Sequence, residues 1–179
     1  MKLETITGQV EIAAERFDLR PLRRSDAGLI GLYAGDARLA RNTSSIPHPL
    51  PPGAAEAFIA RACAADRTED IWAIDGSKTD GSEVMGVISL AHAGDRRAEL
   101  SYWVAQPYWN TGIATAAIRA LIDANPRDSD TFFATVFQDN PASARVLTKL
   151  GFRYLGDAET FSVARAAKVA TWTYSLKLD

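Results

Sequence analysis

The sequence predicts an α/β fold whose mixed sheet is antiparallel in its N-terminal half and contains a parallel βαβ crossover in its C-terminal half. Residues 83–91 and 97–104 read as strands that flank the turn HAGDRR, the pattern of an antiparallel pair. From Gly112 onward apolar residues recur at helical spacing, and the apolar run TFFATVF at 131–137 follows as a buried strand. A strand, a helix and a buried strand in this order predict a parallel pair.

Length, charge and cysteine content exclude several classes of protein. A chain of 179 residues, 47% hydrophobic, is expected to form one domain over residues 1–179. A net charge of −2 gives no field that favours nucleic acid or an anionic membrane. With Cys63 as its only cysteine, the chain can form neither an intrachain disulfide nor a cysteine-rich zinc cluster. Because no secretory pattern opens the sequence and no stretch has membrane-spanning length, a cytoplasmic location is expected.

Local patterns then place the other elements. In the N-terminal half they predict a strand at 17–22, a helix from Ser25 and Asp26 to about Tyr33, an irregular loop at 42–52, a helix at 54–65, a strand at 70–75 and a polar turn at 76–82. The strands at 70–75, 83–91 and 97–104 are expected to form an antiparallel meander. In the C-terminal half they predict a helix from 112 to about 125, a helix from Asn140 and Pro141 to Gly151, and strands at 152–155 and 169–178.

The segment Asn110-Thr111-Gly112-Ile113-Ala114 is the first candidate binding element, because it follows a strand and opens a helix. Free backbone N–H groups and the positive helix end favour an anion there, and the small residues let a pyrophosphate approach the backbone. The alternative interpretation is that Gly112 only makes a tight turn. Neither a Walker loop nor the dinucleotide pattern of three spaced glycines is present.

A second helix start follows the next parallel strand. Asn140 and Ser143 lie within its first turn, so both are expected to face the crevice that contains Gly112. The alternatives are that Asn140 is only a helix cap and that Ser143 is only a polar residue of the first turn.

Over nearly its whole length, the sequence resembles the ribosomal-protein-alanine-type branch of the GNAT N-acetyltransferase superfamily. The matching segments are FDLRPLRRSD at 17–26, SIPHPL at 45–50, AELSYWV at 98–104, residues 106–117, and NPASARVLTKLGF at 140–152. The resemblance implies the acyl-CoA N-acyltransferase fold, with acetyl-CoA as cosubstrate and no metal.

The resemblance also assigns residues to the coenzyme. Backbone groups near Trp103 and Val104 would hold the pantetheine like an added strand, and residues from Asn110 to Thr115 would bind the pyrophosphate. Two positions depart from the superfamily pattern: Trp109 stands where glutamine or arginine is usual, and Asn110 stands where the branch has glycine. Asparagine tolerates left-handed backbone angles, so the second departure is compatible with the loop.

For the chemistry, the resemblance implies that Glu99 is the general base that deprotonates an amine, directly or through water. The other interpretation of Glu99 is a solvated strand carboxylate. Ser143 or the amide of Asn140 would stabilise or protonate the departing thiolate. Cys63 is expected to be a small buried residue and not a nucleophile. Surface roles are expected for His48 and His92, with His48 at the border of the amine pocket as the alternative.

The sequence therefore predicts direct transfer of acetyl from acetyl-CoA to a primary amine, with a peptide or protein N-terminus as the first candidate acceptor. A detoxifying enzyme for a small amine such as an aminoglycoside is the second candidate, and a CoA-binding regulator without catalysis is the third. An acidic pocket would favour a polycation, but the carboxylates considered for it have solvated positions as their other interpretation: Glu56, Asp66, Glu69 and Asp70. A homodimer is kept as an open expectation.

Overall fold

In the computed structural model, which describes residues 8–179, eight strands form one mixed sheet. Residues 1–7, which the predicted domain includes, lie outside the described residues. The strands are β1 (Ile12–Ala13), β2 (Asp18–Pro21), β3 (Glu69–Asp75), β4 (Gly86–His92), β5 (Arg97–Val104), β6 (Thr131–Phe137), β7 (Arg153–Ser162) and β8 (Ala167–Lys177).

The strand order across the sheet is β1-β2-β3-β4-β5-β6-β8-β7. Strands β5 and β6 run parallel, and every other neighbouring pair in the described sheet is antiparallel. The predicted meander is therefore confirmed as β3-β4-β5, and the predicted crossover joins β5 to β6. Strand β8 lies between β6 and β7, so the C-terminal hairpin extends the sheet beyond the crossover.

Helices cover both faces of the sheet. They are α1 (Ala27–Ala34), α2 (Ala37–Ala40), α3 (Ala54–Ala62), α4 (Ile113–Ala124) and α5 (Pro141–Lys149). Helices α1 and α3 pack on one face in a cluster that contains Ile71, Ala73 and Val87. Helices α4 and α5 pack on the other face in the larger cluster, which contains Trp72 and Ile74. The sheet is thus the middle of three layers.

The burial of β3 explains why its sequence has no polar alternation. Successive side chains of a strand point to opposite faces, so Ile71 and Ala73 contact the α1 and α3 layer while Trp72 and Ile74 contact the α4 and α5 layer. Residues 71–75 are buried throughout. The indole N–H of Trp72 donates to the carbonyl of Val10 at 2.7 Å, which ties the first described residues to the sheet.

A buried ion network joins β2 to β3. The guanidinium of Arg20 donates to Asp75 at 2.7 Å and to both carboxylate oxygens of Asp26 at 2.9 and 3.0 Å. Asp26 ends a 3-10 turn that begins at Arg24 and leads into α1, as the sequence predicts for this helix start. Because paired hydrogen bonds satisfy these buried charges, the network holds the start of α1 against the sheet edge.

Several predicted boundaries need correction. The helix predicted at 54–65 ends at Ala62, and the strand predicted at 83–91 begins at Gly86. Strand β7 runs over Arg153–Ser162, well past the predicted 152–155, because it pairs with β8 along nearly its whole length. The short β1 and α2 were not predicted, since two and four residues are too few for a periodic pattern.

The helices of residues 8–179 are short. The longest, α4, has 12 residues, and none of them combines the length and the hydrophobicity needed to cross a bilayer.

Candidate active site

The site begins where the parallel strands β5 and β6 separate. Their pairing covers Arg97 with Thr131 through Glu99 with Phe133, although both strands continue to Val104 and Phe137. Beyond Glu99, the edge of β5 that faces β6 has no strand partner in the described chain. The gap opens the sheet at the end of the crossover, and two cavities meet there.

The smaller cavity, about 540 Å³, lies at the start of α4. Its walls include all the residues predicted to bind coenzyme: Trp103, Val104, Trp109, Asn110, Thr111, Gly112, Ile113, Ala114, Thr115, Asn140 and Ser143. The charged residues among its walls are Arg145 and Lys149 of α5, and within residues 8–179 no carboxylate lines it. This cavity is therefore electrostatically suited to an anionic ligand.

The backbone at the start of α4 takes left-handed angles at two positions. Asn110 has φ of 61°, as its tolerance of this region predicts, and Gly112 has φ of 79° where it precedes the first helical residue. No side chain caps this helix start. Arg16 donates to the carbonyl of Thr111 at 3.0 Å, which adds a guanidinium beside the loop. Uncapped N–H groups and a nearby cation together favour a phosphate at this position.

Trp109, one of the two residues that depart from the superfamily pattern, contacts the end of β5 through its side chain. Its indole N–H donates to the carbonyl of Val104 at 2.7 Å, and the guanidinium of Arg38 lies 5.9 Å from the centre of its ring. One of the backbone groups predicted to hold pantetheine thus already accepts a hydrogen bond. A carbonyl oxygen has a second lone pair, and the unpaired edge of β5 beside Trp103 remains for a ligand.

The larger cavity, about 730 Å³, lies on the face covered by α1 and α3. Glu99, Ser101 and Trp103 line it, as expected for alternate residues of one strand. The predicted loop at 42–52 is confirmed as irregular and forms another wall. The charged residues that line the cavity are Arg61, Asp66, Arg67, Glu69 and Glu99.

Two of these carboxylates share a row across the sheet. Glu69 pairs with Ala91, which pairs with Glu99, so both side chains project from the same face two strands apart. Burial raises the pKa of Glu69 above its usual value, and the charge of Glu99 raises it further while Arg61 offsets part of the effect. Glu99 is exposed to the cavity. The predicted base is thus available to a ligand in the larger cavity.

The two cavities share walls at the gap between β5 and β6, formed by Asn42, Thr43, Tyr102, Trp103, Asn140 and Ser143. The hydroxyls of Tyr102 and Ser143 lie 2.5 Å apart within hydrogen-bonding distance. Burial raises the pKa of Tyr102, and the hydrogen bond with Ser143 offsets only part of the rise. Tyr102 therefore keeps its proton at neutral pH and can support Ser143 as a donor.

Asn140 is the N-cap residue of α5, although its side chain makes no capping hydrogen bond. Its backbone carbonyl accepts from the N–H of Ser143 at 3.2 Å, and its own N–H donates to Phe137 at 2.9 Å. The backbone turn alone starts the helix. The amide side chain lines both cavities.

The prediction for Cys63 is wrong in one respect. Cys63 is exposed and not buried, because α3 ends at Ala62 and the packed helical face does not extend to it. Partial desolvation raises the pKa of its thiol, and Sγ lies 3.4 Å from the carbonyl of Leu22. Cys63 lines neither cavity.

His48 and His92 are exposed and lie outside the walls of both cavities, as predicted for surface positions.

The fold thus presents two joined cavities at a gap in a mixed sheet, one lined by basic side chains and a helix start and the other by side chains of both charges. The family described as Acetyltransferase (GNAT) domain matches residues 16–153. The chain therefore belongs to the GNAT acetyltransferase family, whose members use acetyl-CoA as cosubstrate. This finding confirms the predicted family and the predicted enzyme class.

A curated relative is the uncharacterized N-acetyltransferase YoaA of Bacillus subtilis (strain 168), which is 30% identical over 110 residues. The alignment covers 59% of this chain and 60% of that protein, so the chain spans less than two thirds of its relative.

Solved structures share the fold at low identity. The microcin C7 self-immunity acetyltransferase MccE, solved with acetyl-CoA and AMP, is 17% identical with a TM-score of 0.79, covering 92% of this chain and 94% of that one. RimL, the ribosomal L7/L12 alpha-N-protein acetyltransferase solved with coenzyme A, is 17% identical with a TM-score of 0.80, covering 95% and 99%.

Tyr102 belongs to the site but is not predicted from the sequence. Alternation along β5 places Tyr102 on the face opposite Glu99, against the α4 and α5 cluster, so a pattern argument assigns it to the core. The gap beyond Glu99 brings it into both cavities. Only the spatial approach of α5, which carries Ser143, reveals the pair.

Proposed function

We propose that this chain is an N-acetyltransferase that moves acetyl from acetyl-CoA directly to a primary amine, with a peptide or protein N-terminus as the acceptor. The observation that supports this most strongly is the junction of the two cavities. The smaller cavity suits an anionic ligand, the larger cavity contains Glu99, and the shared wall carries Tyr102 and Ser143. Two substrates can therefore meet at one point.

In this proposal acetyl-CoA lies in the smaller cavity. Its pyrophosphate rests on the backbone N–H groups between Asn110 and Thr115, where the positive end of α4 and Arg16 favour negative charge. Its pantetheine follows the unpaired edge of β5 beside Trp103 and Val104, as an added strand would. The thioester then reaches the gap near Ser143.

The acceptor enters through the larger cavity. Glu99 takes a proton from its ammonium group, directly or through water, and the free amine attacks the thioester carbonyl. As the C–N bond forms and the C–S bond breaks, the electron pair leaves on sulfur. Ser143, with Tyr102 as the hydroxyl behind it, donates a proton to the thiolate and regains one from the nitrogen, which loses its second proton as the amide forms. The amide of Asn140 supplies a second hydrogen-bond donor to the sulfur.

The charges of the larger cavity support a peptide over a polycation. Asp66, Glu69 and Glu99 are balanced in large part by Arg61 and Arg67, so the walls lack the strong negative field that a polycation would select. RimL, which shares the fold, is named as an alpha-N-protein acetyltransferase. A small cationic amine remains the second candidate because three carboxylates do line this cavity.

The test is release of free coenzyme A thiol from acetyl-CoA, measured with alanine-initiated peptides, an aminoglycoside and a polyamine as acceptors, with mass detection of the acetylated product. We expect thiol release that depends on a peptide acceptor. Turnover with the small amines alone would contradict the acceptor assignment. Tight calorimetric binding of acetyl-CoA without turnover on any amine would instead support a non-catalytic regulator.

A further inference from the structure

The larger cavity ends in a hydroxyl-lined wall formed by Thr135 of β6, Thr160 of β7 and Thr171 of β8. The charged residues of this cavity come from other elements, namely α3, the segment after it, β3 and β5. Neutral hydrogen-bonding groups from β6, β7 and β8 therefore complement the ionic groups of the other walls, and the two kinds of group suit different parts of one ligand.

Thr171 is the unusual member of this wall. Its side chain is fully buried, and its hydroxyl is the buried side-chain group without a hydrogen-bond partner within residues 8–179. Its backbone is well held, since the amide of Gln138 donates to its carbonyl at 3.1 Å. A buried hydroxyl without a partner destabilises a protein, and valine of nearly the same shape would avoid that cost.

The sheet register places Thr171 on the face of the larger cavity. Thr171 lies opposite Phe137 on β6 and opposite Ala158 on β7, and residues directly opposite share a face. Phe137 also lines the cavity and is followed by the turn to Asn140. Thr171 thus lies in the wall of the larger cavity beside the end of β6 that leads to Asn140.

We propose that the hydroxyl of Thr171 is a recognition group for the acceptor and donates a hydrogen bond to a carbonyl oxygen next to the reacting amine. This inference rests on the proposed function. A peptide N-terminus carries such a carbonyl directly after its amine, whereas a simple diamine does not. The carbonyl oxygen of the ligand accepts the hydrogen bond for which the protein provides no acceptor. The hydroxyl therefore selects an acceptor molecule that has a neutral polar group at that position.

The test compares Thr171→Val with Thr171→Ser, using acetyl-CoA and an alanine-initiated hexapeptide with a free N-terminus. Thr171→Val should raise the KM for the peptide roughly 3- to 10-fold, the range of one neutral hydrogen bond, and leave the KM for acetyl-CoA unchanged. Thr171→Ser keeps the hydroxyl and should stay near wild type. In the free protein, Thr171→Val should unfold at the same temperature as wild type or a higher one.

Ser162→Ala is the matched control, because Ser162 is also fully buried but accepts from the N–H of Arg165 at 3.3 Å and lies outside the cavity walls. It should lower stability and leave both KM values unchanged. An active wild type with an unchanged peptide KM in Thr171→Val overturns the subsite alone, as does a lower melting temperature of that variant. A wild type that acetylates no peptide overturns the proposed function and the subsite together.

Discussion

Two polar clusters inside this sheet follow opposite rules. Around Arg20 the strands pair in full register, and the guanidinium is hydrogen-bonded to Asp26 and Asp75. Beyond the gap between β5 and β6, Thr171 of β8 pairs with residues of both neighbouring strands, but its hydroxyl has no hydrogen-bond partner in the described chain. Polar groups that the fold satisfies serve stability, whereas groups it leaves unsatisfied beside a cavity indicate function.

The largest effect is expected from Glu99→Gln, which alters the gap without altering the fold. It should lower turnover roughly 10²- to 10⁴-fold, the usual contribution of positioned proton transfer, with acetyl-CoA affinity nearly intact. Raising the pH should restore part of the loss, because more of the amine is then neutral. Steady-state rates and calorimetry check both points.

The control for Glu99 is Glu56→Gln, which changes an exposed carboxylate of α3 outside the cavity walls and should keep wild-type rates. Wild-type turnover in Glu99→Gln would remove the base assignment.

Substitutions in the cluster around Arg20 should change the stability of the protein. Arg20→Ala removes the buried cation that Asp26 and Asp75 share, and should lower the free energy of unfolding by about 3–5 kcal/mol in urea titrations. Arg23 lies 3.8 Å from the same Asp75 but its side chain is 51% exposed, so Arg23→Ala should cost less than about 1 kcal/mol. Equal losses in the two variants would show that burial does not decide the strength of this network.

The network also predicts a dependence on pH. Burial alone would raise the pKa of Asp75, but hydrogen bonds from Arg20 and Ser77 outweigh it and lower the pKa below its usual value. A carboxylate whose pKa is lower in the folded state stabilises the protein fully at pH values above its unfolded pKa of about 4. This stabilisation is lost as the pH falls through the folded pKa. Arg20→Ala should flatten this acid limb of the stability curve, and an unchanged limb would exclude Asp75 as its source.

The Tyr102–Ser143 pair should act as one unit. Ser143→Ala should lower turnover roughly 10²-fold, at the low end for proton transfer, and Tyr102→Phe should lower it less because Tyr102 acts through Ser143. The double variant should be no slower than Ser143→Ala. Losses that simply multiply would mean that the two hydroxyls act separately.

The smallest effect concerns the phosphate loop. Gly112→Val places a β-branched residue at φ of 79°, which costs about 1–2 kcal/mol, and should weaken acetyl-CoA binding roughly 10-fold or more by calorimetry. Gly53 precedes α3 with φ of 78° in the same geometry but lies outside the walls of the smaller cavity. Gly53→Val should therefore lose stability and keep its affinity, and unchanged affinity in a folded Gly112→Val would refute the phosphate placement.

Local sequence was enough for the elements that build the site. Strands 97–104 and 131–137 were predicted to the residue, and the helix predicted from 112 begins at Ile113 with Gly112 as its N-cap, because period, turn residues and a glycine mark these elements locally. The partners of Arg20, the contact of Trp109 with Val104 and the approach of Ser143 to Tyr102 were not predicted. These contacts depend on register and on where the strands separate, which no short segment specifies.

In the proposed reaction both substrates occupy the joined cavities together, and acetyl passes directly between them. Initial rates measured while acetyl-CoA and a peptide acceptor are both varied distinguish this route from a covalent relay. We expect double-reciprocal lines that intersect, because a ternary complex must form before transfer. Parallel lines, with acetyl trapped on Ser143 or Cys63 by mass spectrometry, would contradict it.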